Sequence, residues 1–417
     1  MTDIDLTIDS VGVRGDGVAQ YQGAPVYVPF TAPGDRVRVR LSSEKGERRG
    51  EIAELLGPGE RATPVCAHFG ACGGCALQHL TAETYAAAKL SWLQGALAQH
   101  GFKDVAIAPL RRLAPGTRRR ARLALARDGQ IVAGFHGRMS HVIVDMRECH
   151  VLHPALFALV APLRKLAAEI LPRRGAASAA LTLGDGGVDV LLELPKAPAL
   201  EGIEALARFA AELDLARLSW RAGSTVAPVA QRRPVRAIFA GVAVDLPPDA
   251  FLQASAEADV VLSGLVLDAI GTPDRIADLY AGVGTFSFAL AARASVHAVE
   301  GDTAAAKALG QAASRGNVSD VVSVERRDLA RRPLSVDELA RYDAVVFDPP
   351  RVGALAQSKM LAESTVLRIV AVSCNPATFA RDARVLVDGG YTLAHVAPVD
   401  SFIWSPHLEL VARFERG

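Results

Sequence analysis

The 417-residue chain carries 46 basic and 45 acidic residues, a net charge of +1, and half of it is hydrophobic. Its length exceeds a single domain of roughly 100 to 200 residues, so two or three domains are expected. Charges such as Arg164 and Lys165 interrupt apolar runs like Ala155 to Leu171, which argues against a membrane span, and the acidic start lacks the basic and apolar stretches of a secretion signal. The odd count of 5 cysteines argues against a disulfide framework, and a cytoplasmic protein is expected.

From Asp5 to Leu56 apolar and polar residues alternate between turn signals at Gly15-Asp-Gly, Gly23 and Pro33-Gly-Asp, which predicts a small OB-like β-barrel over residues 1–58. A cysteine-bearing loop spans Pro64 to Gln78, and helical spacing predicts a helix from Ala82 to Gln99 within a segment, 81–108, expected to pack on the catalytic domain. Residues 59–80 and 109–250 read as an α+β central domain. Its start holds Arg111, Arg112, Arg118, Arg119, Arg120, Arg122 and Arg127 with no acid before Asp128, a density suited equally to phosphates and to a solvated strand face. Over residues 251–417 strands near 276–280, 296–299, 321–324, 344–347 and 369–373 alternate with helices, which predicts a doubly wound, mostly parallel α/β sheet.

The first of those strands runs into Asp278-Leu-Tyr-Ala-Gly-Val-Gly-Thr, where Gly282 and Gly284 allow a ligand close to the backbone, but Ser287 leaves the three-glycine dinucleotide fingerprint incomplete. Glu300 follows at the end of the second strand, placed to accept from ribose hydroxyls, and Asp328 past the third, within reach of an adenine edge. This arrangement fits S-adenosylmethionine, which needs no phosphate loop. Asp348-Pro-Pro-Arg351 ends the fourth strand as a rigid turn, with an arginine where amino-methylating enzymes place an aromatic.

The fifth strand delivers Cys374 ahead of Asn375-Pro376 and a helix start, a setting expected to expose the thiol and stabilise its thiolate. Uracil C5 is a poor nucleophile, and a thiolate adding to C6 would activate it; a base must afterwards take the C5 proton. Glu409, expected on a late strand with His407 on the same face, is the candidate base. Cys66, Cys72 and Cys75, spaced by five and two residues, with Cys149 far downstream, suit either zinc or a [4Fe-4S] cluster, and His68, His79, His150 and His153 lie nearby. The spacing does not match radical S-adenosylmethionine enzymes.

Together these motifs resemble the bacterial RNA uracil-5-methyltransferase family, especially its iron-sulfur members that modify 23S ribosomal RNA, and the resemblance covers nearly the whole chain. It implies a class I S-adenosylmethionine methyltransferase fold preceded by a TRAM barrel and a cluster-bearing, RNA-binding central domain. It implies a [4Fe-4S] cluster on Cys66, Cys72, Cys75 and Cys149, Cys374 as nucleophile and Glu409 as base, and a cofactor site at Gln253, Tyr280, Gly282, Gly284, Thr285, Glu300, Asp328 and Asp348. Ser255 stands where the family commonly has Asn, and Asp400-Ser-Phe402-Ile403 departs from its usual Asp-x-Phe-Pro. The barrel and cluster are expected to separate the chain from the tRNA-specific branch, and a monomer is expected. Uridine C5 methylation of tRNA, an amino-group methyltransferase and an iron-sulfur RNA-binding sensor are the alternatives.

Overall fold

The structure is a computed structural model that describes residues 3–44 and 46–417; Met1, Thr2 and Lys45, part of the expected barrel, lie outside the described residues. The amino-terminal strands form a six-stranded sheet in which Asp3–Thr7 and Ser10–Val11, consecutive in the chain, stand at opposite ends of the strand order. A sheet whose two edges are joined by Ile8 and Asp9 must roll up on itself, and the apolar positions of its alternating strands, Leu6, Ala19, Val26, Val28, Val37 and Val39, fill the interior.

The helix Ala82–Gln99 starts where Thr81 caps it, its hydroxyl accepting from Thr84 N at 3.2 Å. Leu93 and Leu97 on this helix are buried in the same core as the strands of the catalytic sheet. The chain then adds Arg111–Arg112 as a short edge strand beside Tyr391–Asp400. A second six-stranded sheet, with Arg120–Asp128 next to its edge strand Gln130–Gly134, follows; it carries the helices Val160–Ile170 and Leu200–Glu212 on a core of its own.

The hairpin Arg236–Phe239 and Val242–Asp245 packs Phe239 and Val244 into the catalytic core, so that core begins ahead of Phe251. The catalytic sheet runs Arg275–Leu279, Ser295–Glu300, Val322–Arg326, Ala344–Phe347, Arg368–Ser373, Tyr391–Asp400 and Glu409–Arg416, taken as strands one to seven in chain order. Their spatial order is three, two, one, four, five, seven, six, with the first five parallel and the seventh antiparallel to the fifth. Apolar runs buried on both faces explain the parallel half. The order reverses between strands one and four, the edge at which open α/β sheets bind ligands. No described helix is long and apolar enough to cross a membrane.

Candidate active site

The glycine turn after the first strand is held by chemistry the residues supply locally. Tyr280 has already left the strand and sits at φ +62, followed by Gly282 at +58 and Gly284 at +101. A Cβ on Gly284 would meet the Phe288 ring at 2.5 Å, so only glycine fits there, whereas one on Gly282 would meet nothing within 4 Å, which leaves room above the turn. Glu300 ties the turn down, accepting from Gly282 N at 2.8 Å and from Asp302 N at 2.6 Å. Ser287, the residue that breaks the dinucleotide fingerprint, donates to Asp278 at 2.5 Å. Burial pushes the Asp278 carboxyl up to about 7, with Asp348 and Glu300 adding to the rise. Thr285 opens the helix Thr285–Leu290, and exposed Asp328 accepts from Ala330 N at 3.1 Å and faces Arg331.

Asp348 links this turn to the thiol. Buried Gln253 donates to it at 3.1 Å, and burial raises its carboxyl to about 7. Its charge is felt at both Asp278 and Cys374. The neighbouring Ser255 caps the helix Ala256–Ile270, accepting from Ala258 N at 3.1 Å, so the serine that departs from the family pattern has a structural task.

Cys374 sits at the junction of the fifth strand and the helix Pro376–Asp388, which Asn375 caps through Ala377 N. Asn375 Nδ2 and Thr378 Oγ1 both donate to the carbonyl of Arg351, at 2.9 and 3.1 Å, which fastens the Asp-Pro-Pro-Arg turn to the cysteine turn. The thiol is half-buried. Burial first, then the charges of Asp348 and Glu409, push it up to about 11, while Arg351 opposes the rise. The expected thiolate stabilisation is therefore outweighed: desolvation and two carboxylates exceed what the helix start and Arg351 supply.

Glu409, 4% exposed, begins the seventh strand. Burial lifts it to about 7, with the nearby Ser401 hydroxyl and Arg118 opposing and Asp348 adding, and no donor reaches its Oε2 with ordinary hydrogen-bond geometry. A buried carboxylate oxygen without a donor is costly, which marks it as an acceptor kept for something else. His407 is not on the strand as expected but in the loop before it. There Arg351 donates to its Nδ1 at 2.7 Å. Burial and the cations Arg351, Lys89 and Arg118 push the imidazole down to about 4, so it is neutral.

That loop is set by a buried ion pair. Lys89 and Asp400, both fully buried, pair directly, and Lys89 also donates to the His407 carbonyl at 2.7 Å. Tyr85 donates to Asp400 at 2.6 Å and accepts from Trp404 N at 2.9 Å. Trp404, at φ +58, in turn accepts from Ala76 N and Leu77 N, at 2.8 and 3.1 Å, on the cysteine loop.

Cys374 and Glu409 line one cavity of about 620 Å³ together with Cys66, Cys72, Cys75 and Cys149. The four amino-terminal cysteines are free of disulfides. Gly73 permits their assembly: its N donates to His136 O at 2.9 Å, and a Cβ there would meet that same oxygen at 2.9 Å. Burial raises the thiols of Cys66, Cys72 and Cys75, Cys75 to about 12, and the charge of Cys149 adds to each. Among the described residues, no three His, Cys, Asp or Glu side chains are gathered tightly enough to hold one metal ion. His79 turns away to Thr31 O at 3.0 Å, and His153 caps a short helix.

The arginine-rich strand differs most from its sequence reading. Arg119 pairs with buried Asp259 at 2.5 Å, Arg122 with Asp249 and Glu193 at 2.8 and 2.7 Å, Arg127 donates to the Ala168 and Leu171 carbonyls, and Arg120 lies over the Phe251 ring. These guanidinium groups fasten the central sheet to its own helices and to the catalytic domain. Arg118 faces the cavity, 5.5 Å from the Phe402 ring centroid. Arg118, Phe251, Arg351 and Phe402 are lining residues that the sequence did not single out for the site, although Arg351 was visible within its motif.

The fold and this edge define a class I methyltransferase domain with a barrel and an α+β domain in front. The chain belongs to the RNA (uracil-5-)-methyltransferase family. Residues 243–416 match the family model of tRNA (uracil-5-)-methyltransferase. An RNA methyltransferase of Brucella melitensis is 42% identical over 99% of this chain and 98% of its own length. The 23S rRNA (uracil(1939)-C(5))-methyltransferase of Chromohalobacter salexigens is 36% identical over 97% of this chain and 87% of its own. The crystal structure of Pyrococcus abyssi tRNA (uracil-54, C5)-methyltransferase in complex with S-adenosyl-L-homocysteine superimposes with a TM-score of 0.77 at 25% identity, covering 98% of this chain and 99% of that one. That last likeness corrects one expectation: a tRNA enzyme shares the fold over the whole chain, so the domains ahead of the catalytic sheet do not by themselves separate rRNA from tRNA enzymes.

Proposed function

We propose that this enzyme methylates C5 of a uridine in 23S ribosomal RNA, using S-adenosylmethionine and a covalent bond between Cys374 and C6. The observation that carries the reading is the convergence of a thiol and an unpartnered buried carboxylate, Cys374 and Glu409, on one cavity large enough for a nucleoside. S-adenosylmethionine, when bound, supplies the electrophilic methyl group. Gln253, Tyr280, Gly282, Gly284, Thr285, Glu300, Asp328 and Asp348 would hold it, and the space over Gly282 admits it.

The target uridine must leave its stack to reach the cavity. Cys374 Sγ, its proton passed to solvent, then adds to C6 as the thiolate, the C5–C6 electron pair shifts into an enolate, and C5 becomes a carbon nucleophile. Arg351, the cation that opposes the rise of the thiol, favours the charged form of the sulfur. Once the methyl group is on C5, Glu409 takes the C5 proton and the S–C6 bond breaks, which frees the thiol. A carboxyl at about 7 suits proton transfer near neutral pH.

For the substrate, the 36% identity to a 23S rRNA enzyme outweighs the 25% identity to a tRNA enzyme. Cys66, Cys72, Cys75 and Cys149, which line one cavity, would hold a [4Fe-4S] cluster, each thiol of such a set binding a different iron. The cluster would organise the cavity wall opposite Cys374, with no redox step. The enzyme would act as a monomer, and an rRNA substrate would place it in the cytoplasm. Mass spectrometry of the enzyme incubated with S-adenosylmethionine and RNA carrying 5-fluorouridine tests the mechanism. Fluorine cannot leave as a proton, so an adduct on Cys374 is expected; its absence despite RNA binding overturns the thiolate mechanism in favour of amino-group methylation.

A further inference from the structure

A second concavity, about 340 Å³, opens where the barrel, the cysteine loop and the turn Gly137 to Val144 of the central domain meet. Its floor is cationic. Asp16, 2% exposed, is shared by Arg49 at 3.2 Å and Arg138 at 2.7 Å, so two guanidinium groups face one carboxylate; Glu47, 3.9 Å from Arg49, is engaged by Arg14 at 3.0 Å. Its wall is the half-buried ring of Phe30, whose backbone is held at φ +59 and whose centroid lies 5.4 Å from the Arg138 guanidinium. Its rim is apolar: Met139 and Val142 are 67% and 70% exposed.

Surplus positive charge under an aromatic face suits a phosphate carrying a base. Arg138 and Val144 line both this concavity and the 620 Å³ cavity, so the two adjoin and one strand can reach both. We propose that the second concavity holds another unpaired nucleotide of the RNA strand whose uridine enters the catalytic cavity. Its base lies on Phe30 between the Met139 and Val142 side chains, and its phosphate meets Arg49 and Arg138. The site rests on the reading of RNA as substrate, and it would make recognition depend on two extruded bases a fixed distance apart.

The test is photo-crosslinking of the full chain to single-stranded RNA in which 4-thiouridine replaces uridine, with the attached peptides identified by mass spectrometry. Adducts on peptides containing Phe30 or Met139, in addition to those lining the catalytic cavity, are expected. Adducts confined to the catalytic cavity overturn the second site and leave the RNA reading standing; none at either place overturns both. Met139→Asp alters only an exposed rim residue, so its melting temperature should be unchanged while affinity for the same RNA falls about tenfold, as loss of one stacked base does. Phe30→Leu should weaken RNA binding to a similar extent. Unchanged affinity in both variants overturns the proposal.

Discussion

Cys374 and the cysteine set at 66, 72, 75 and 149 face the same cavity, yet they reach it by different routes. Cys374 is placed by its immediate neighbours: a strand end, an Asn cap and a Pro at the helix start, all within three residues. The amino-terminal set is assembled from a loop and a residue more than seventy positions away. It is docked through long-range bonds from Gly73 to His136 and from Ala76 and Leu77 to Trp404. A nucleophile must be positioned to within a fraction of an ångström, and short covalent connections achieve that cheaply. A cavity wall tolerates longer, more breakable connections.

The sharpest way to separate the two is to remove each thiol in turn. Cys374→Ala should lower methyl transfer by at least about 10³-fold, measured as labelled methyl incorporated into RNA, with the unfolding temperature unchanged. Cys75→Ser should leave S-adenosylmethionine binding intact while the iron content of anaerobically purified protein falls. Retained transfer in the first variant, or lost cofactor binding in the second, would erase the distinction drawn here.

Lys89→Met attacks the connection between the two regions, because Lys89 holds the loop that carries Trp404 to the cysteine loop and leads into Glu409. It leaves buried Asp400 with only the Tyr85 hydroxyl and the Arg112 guanidinium, 4.0 Å away, at a cost of up to about 3–5 kcal/mol read from denaturant unfolding, and adding Asp400→Leu should recover part of the loss.

A further prediction concerns pH. Glu409, the proposed base, can act only when ionised, so turnover should rise with pH up to about 7 and fall about tenfold per unit below it, where the carboxyl is protonated. Arg118 holds that carboxyl down, so Arg118→Met should move the acid limb to higher pH; a limb that does not move would dissociate Arg118 from the base. The smallest effect is on the thiol itself. Glu409→Gln removes a charge that raises Cys374, so alkylation by iodoacetamide near pH 8 should quicken, by less than about tenfold.

Much of the catalytic edge was legible from residues alone, because strand periodicity, the glycine turn, Asp-Pro-Pro-Arg and Cys-Asn-Pro are local patterns with local causes. Even the serine in the glycine turn had a readable signal, since a hydroxyl nine residues after Asp278 falls back on it once the turn closes. The arginine strand was misleading for the opposite reason. A run of guanidinium groups has the same composition whether it meets phosphates or carboxylates, and the acids that claim Arg119 and Arg122, at 259, 249 and 193, are distant in sequence. His407 was likewise assigned to a strand that begins two residues later, because the pairing that starts it, with Glu409 opposite Val399, is made to a neighbouring strand.

The sequence by itself determined the order of the elements, the chemistry available at each strand end and the family to which the chain belongs. Only the tertiary structure decided which of those groups share a cavity, that burial beside two carboxylates raises the Cys374 thiol where its helix start would lower it, and that a lysine on an early helix fixes the loop leading to Glu409. Ionisation and contact depend on what is brought alongside from far along the chain, and no local pattern encodes that.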